Sequence, residues 1–136
     1  MHPSSYGDLL AAFDESQWSG DPLPVSSENS GSVIFTSPAV NYAWRFVHAV
    51  AHVERECDFT VSGEYRLAQW HLGELARAGY QPGSPEYDLL EASLLSYIAI
   101  HSMDGRPQRE QERFDSECDE LGMEQAIVRQ IAREAS

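Results

Sequence analysis

Residues 37–57 read SPAVNYAWRFVHAVAHVEREC, and this stretch decides the fold class. Ser37 can accept a hydrogen bond from a backbone N–H that the first helical turn leaves over. Pro38, at the first helical position, gives up a donor that would be orphaned anyway. No further proline or glycine follows until Gly63. At about 100° per residue, Val40, Ala43, Trp44, Phe46, Val47, Val50, Ala51, Val53 and Cys57 cover well over half of the circumference. A helix this apolar is expected at the centre of a domain, with neighbours on several sides. Its remaining narrow face carries Arg45, His48, His52, Arg55 and Glu56.

Downstream, a helix is predicted from about Gly63 to Ala78, with Gly79 as its left-handed cap. Tyr65, Leu67, Ala68, Leu72, Leu75 and Ala76 form its apolar arc and His71 lies within that arc. Trp70 falls on the opposite side, among Arg66, Glu74 and Arg77. Ser84-Pro85 repeats the Ser-Pro helix start. The helix it opens, 85–103, holds Leu89, Leu90, Leu94, Leu95, Tyr97, Ile98, Ile100 and Met103. It is nearly as apolar all round as 37–57, so these two helices are expected to form the paired core. His101 is expected on the same core side as Leu94 and Tyr97. After Asp104-Gly105-Arg106-Pro107 comes QREQERFDSECDEL, residues 108–121, with one narrow stripe of Phe114, Cys118 and Leu121. Gly122 breaks the run, and Met123, Ile127, Val128 and Ile131 mark a last amphipathic helix.

Upstream, residues 4–18 read as a short helix with Tyr6, Leu9, Leu10 and Phe13 on its apolar side. Residues 19–32 are turn formers and predict a loop. Val33-Ile34-Phe35-Thr36 is β-like, but a lone strand has nothing to pair with, so an extended segment is expected. The fold class is therefore all-α: a compact bundle of five to six helices with an extended N-terminal segment. A single domain is expected, with an N-terminal helix and loop arm (1–36), core helices (37–103) and charged C-terminal helices (107–134).

The formal charge is −13, from 22 acidic residues against 9 basic ones. Every basic residue is arginine. Without lysine there is no P-loop lysine, no Schiff-base lysine and no lysine general base. The charge opposes direct binding to nucleic acid or to an anionic membrane and favours a basic partner. No apolar run approaches the roughly 18 residues of a membrane span. The start, MHPSSYGDLL, has neither the basic region nor the apolar segment of a signal peptide, which predicts a cytoplasmic protein. Cys57 and Cys118 each sit between two acids. Flanking carboxylates raise a thiol pKa, so two free, partly buried thiols are expected rather than nucleophiles or a disulfide.

Four constellations could carry chemistry. His48 and His52, at i and i+4, could share a metal ion, with His71 and His101 as further ligands from other helices. Against this, the first pair sits on a polar face and the second pair on apolar faces. Arg66 and His71, in RLAQWH, resemble the motif of helical HEPN ribonucleases, in which both residues act on the RNA 2′-OH and phosphate. Leu67 replaces the polar residue that usually follows the arginine, and the two side chains project about 140° apart. Trp70, with Arg66 and Arg77, combines residue types enriched at binding hot spots. Finally, the stretch from Asp104 to Glu124 holds eight acids and three arginines. Glu110, Glu112, Asp115, Glu117, Asp119 and Glu120 could there imitate a phosphate track and occupy a basic groove.

The leading expectation is a non-enzymatic acidic protein, without cofactor, that blocks a basic, nucleic-acid-binding type of site on a protein partner. By type this is the role of inhibitors, immunity proteins, antitoxins and anti-CRISPRs. The alternatives are a His/carboxylate metal-binding bundle with enzymatic capacity and an assembly subunit whose wide apolar faces another chain covers. A second copy of this chain is a further candidate partner.

Overall fold

Hydroxyl side chains set where several helices begin. The structure, a computed structural model, describes residues 5–23 and 38–136. Among these residues the secondary structure is entirely helical: α1 (Tyr6–Ser19), α2 (Pro38–Glu54), α3 (Val61–Arg77), α4 (Pro85–His101), α5 (Gln108–Leu121) and α6 (Met123–Ala135). Ser5, Thr60 and Ser84 accept the N–H of Asp8, Gly63 and Tyr87 at 3.1, 3.0 and 3.3 Å, capping α1, α3 and α4. Thr60 is why α3 starts at Val61, ahead of the expected Gly63. It ends as expected: Gly79 adopts φ +105°, and the N–H groups of Gly79 and Tyr80 return to the carbonyls of Ala76 and Leu75. The Ser37 cap and the extended segment expected at Val33–Thr36 lie outside the described residues. No helix among the described residues is long and apolar enough to cross a membrane.

Packing divides the chain into two compact units, one ending at Phe59 and one spanning Thr60–Ser136. In the first, α1 packs on α2. Leu9 is buried, whereas Leu10, expected beside it, is exposed. The expected orientation of α2 is corrected in two respects. His52, placed on the solvent face by its polar neighbours, is buried at 3 % exposure, and Phe46 and Val47 from the wide arc are 40 % and 52 % exposed. One helical neighbour covers a stripe only about 100° wide, so α1 leaves part of so broad an arc uncovered. The histidine face turns inward because His52 bonds to the chain that leaves the helix.

In the second unit the central element is α6, which packs against α3, α4 and α5. Ala126 and Ile127 are fully buried there, with Leu67 and Leu72 of α3, Leu94, Leu95 and Ile98 of α4, and Phe114 of α5 also in the core. The expected central pair, α2 and α4, falls into different units. Nor is α4 buried all round: Leu89, Tyr97 and Ile100 are more than half exposed. Within this unit α3 and α6 cover adjacent sides of α4, and α5 packs chiefly on α6. His101, expected in the core, follows Tyr97 to the surface and lies 3.2 Å from Asp104.

Polar links complete the α5–α6 contact. Arg133 makes a two-pronged bond to Glu117, with Nη1–Oε2 at 3.0 Å and Nη2–Oε1 at 2.7 Å. Buried Gln130 accepts from the same guanidinium at 2.6 Å and donates to Glu134, which also pairs with Arg106. Arg106 in turn donates to the Ser102 carbonyl at the end of α4.

The Arg133 hydrogen bond is the largest influence on Glu117 and holds its carboxyl below the ordinary glutamate range; desolvation opposes it, and the charges of Arg133, Arg129 and Arg113 add to it. A carboxyl lowered in the folded state contributes stability that is complete above its unfolded pKa and is lost as pH falls through the folded one. Glu117→Gln should therefore cost about 1–2 kcal/mol at pH 7. In denaturant titrations the gap to wild type should close as pH drops below about 4; a gap independent of pH would contradict this role.

Candidate functional site

Phe114 and Glu117 orient the acidic stretch, because both turn α5 toward α6. What remains outward is Glu112, Asp115, Asp119 and Glu120, all exposed. Glu112, Asp115 and Asp119 follow i, i+3, i+7 spacing, so their carboxylates run along one side of the helix for about 10 Å. Of the six acids singled out from the sequence, Glu117 is bound to Arg133 and Glu110 is half-buried. Glu120 shares its side of α5 with exposed Arg109 and Arg113, at i−11 and i−7. Cys118 lies on the half-buried side of α5; burial first, then the charges of Asp115, Asp119 and Glu117, push its thiol above the ordinary range.

On α3, Trp70 is half-buried, with its ring 5.1 Å from that of His71. Arg66 is exposed, and Arg77 is exposed and ion-paired with Glu74. His71 is buried at 6 % exposure. Arg66 and His71 thus occupy opposite environments and present no joint face for a phosphodiester. On the same helix, burial and the neighbouring Glu124 carboxylate hold the Tyr65 hydroxyl above its ordinary range, and the bond between them ties α3 to the start of α6.

The histidines of α2 form the other concentration of chemistry. Their rings are 4.7 Å apart, edge to face. Trp44 lies 5.6 Å from His48 on one side; on the other, Phe59 lies 4.8 Å from His52 and Tyr6 follows at 5.8 Å from Phe59. His52 Nδ1 stands 2.6 Å from the Cys57 carbonyl oxygen. A carbonyl only accepts, so Nδ1 carries the proton. The Cys57 N–H returns to the His52 carbonyl at 3.0 Å, and the Glu56 N–H to that of Val53. This is a Schellman-type stop in which Glu56, not glycine, takes the left-handed position at φ +53°. His71 and His101 join no cluster of three ligand groups among the described residues. Read from the sequence, α2 runs on to Cys57 and the turn comes after it; the helix stops earlier, at Glu54, because the left-handed residue is Glu56 and no glycine marks it.

No family model, no curated protein and no solved structure matches the chain.

Two outcomes test these local geometries. Glu56→Gly should leave stability equal or higher, while Glu56→Val, β-branched at a left-handed position, should lose at least about 1 kcal/mol in thermal melts. The Cys118 thiol should react with Ellman's reagent more slowly at pH 7.5 than a small-molecule thiol, with its rate still rising above about pH 9.

Proposed function

We propose that this chain is a non-enzymatic binding protein whose α5 face occupies a basic site on a protein partner, as inhibitors, immunity proteins and anti-defence proteins do. The observation that carries this reading is the division of labour along α5. Its inward side is consumed by Phe114 and the Glu117–Arg133 pair, and its outward side keeps four exposed carboxylates. Carboxylates fixed on a docked helix lose little side-chain and backbone freedom on binding, which lowers the cost of association. Their field reaches about 8–10 Å before salt screens it, so it steers a cationic groove toward α5. Arg109 and Arg113 lie beside Glu120 and offset its charge, so the favourable approach is along Glu112, Asp115 and Asp119. Half-buried Trp70 with Arg66 supplies a second contact surface of hot-spot type. Blocking is steric and electrostatic and needs no cofactor.

The test uses immobilised chain and cell lysate with three proteins: wild type, an α5-neutral variant (Glu112→Gln, Asp115→Asn, Asp119→Asn, Glu120→Gln) and a control neutralised at Asp14, Glu15, Glu86 and Asp88. A protein retained by wild type and control, lost from the α5 variant and released as salt rises from about 0.1 to 0.5 M is the expected result. Equal retention by the α5 variant, or retention insensitive to salt, would refute the reading.

A further inference from the structure

The binding role assigned to α5 makes no use of the two histidines on α2, whose rings pack on each other and on neighbouring aromatic rings. We propose that His48 and His52 chelate a divalent transition metal of the zinc class. Their spacing places both imidazoles on one side of a continuous helix, about 6 Å apart along its axis. One ring nitrogen of His48 and one of His52 lie within 4.8 Å of each other. Two imidazole nitrogens on a tetrahedral zinc ion, each about 2.0–2.1 Å from it, stand about 3.4 Å apart. His48, which is only partly buried, can rotate its side chain to bring a nitrogen to the same ion.

The surroundings supply what a ligand histidine requires. His52 Nδ1–H donates to the Cys57 carbonyl, so in the neutral ring the lone pair sits on Nε2. A carbonyl on the distal nitrogen fixes the tautomer and raises ligand basicity, as in metal centres generally. Phe59 holds the His52 ring from one side and Trp44 holds His48 from the other. The donors are nitrogen, which selects zinc, copper or nickel over magnesium or calcium. The two imidazoles fill two positions of the ion, fewer than the four protein ligands of a closed structural zinc site.

The experiment uses tag-free full chain stripped with chelator, titrated with zinc chloride by calorimetry, with ring-proton NMR of the histidines. Magnesium chloride is the control ion. His48→Phe keeps a ring between Trp44 and His52 but removes the ligand nitrogen, and it leaves the His52 bond to Cys57 intact. His101→Phe removes an exposed histidine elsewhere. Wild type and His101→Phe should bind one zinc ion per chain, with the His48 and His52 ring signals moving together and magnesium giving no heat. His48→Phe should bind at least tenfold more weakly at an unchanged melting temperature. No zinc binding at about 1 mM, equal binding by His48→Phe, or loss in both variants would overturn the site.

Discussion

Ala126 and Ile127 expose no surface, and around them α6 meets α3, α4 and α5 at once. Three neighbours can approach one helix only where its contact residues are short or apolar on each approached side. Ala126 supplies the short side chain and Ile127 the apolar bulk. One turn on, Gln130 is buried yet polar, and it is held by Arg133 and Glu134 rather than left with its amide in an apolar setting. Glu117, Arg106 and the Ser102 carbonyl extend these bonds to α5 and to the end of α4. Apolar burial and a satisfied polar network thus converge on one short helix. α5 has few apolar residues of its own, so its docking rests on Phe114 and on this network.

In the unit ending at Phe59, the corresponding constraint is the turn after α2. The chain stops the helix with Glu56 in a left-handed conformation, which costs a non-glycine residue about 1 kcal/mol or more. The exchange between His52 and Cys57, side chain to carbonyl and N–H to carbonyl, offsets that cost. It also decides which face of α2 turns inward. The same bond that ends the helix fixes the tautomer of His52, so a capping device and a ligand-orienting device coincide.

Helix existence and ends were largely legible in the sequence because local chemistry sets them. Pro38 and Ser84-Pro85 start α2 and α4, Gly79 and Gly122 mark stops, and residues 108–121 form α5 as read. Orientation was less legible, because it depends on which neighbours arrive. Phe46, Val47, Leu89, Tyr97 and Ile100 belong to arcs wider than any partner covers within their own unit. Composition favours α4 as the centre; topology gives that place to α6, whose apolar residues are fewer but meet more neighbours. At the candidate sites, the divergence of Arg66 from His71 followed from helical angles alone. The inward turn of His52 did not, since it depends on a bond five residues along the chain. The removal of Glu117 from the acidic face depends on Arg133 of another helix and has no local signature.

The functional reading and the fold meet at α5, since carboxylates steer a partner into one pose only if their helix is held. Native-state hydrogen exchange resolved by residue tests this most directly. Backbone amides from Phe114 to Cys118 should be protected together with those from Ile127 to Ile131, opening as one cooperative unit. Exchange of the α5 amides at the rate of an unstructured chain, while α6 stays protected, would contradict it.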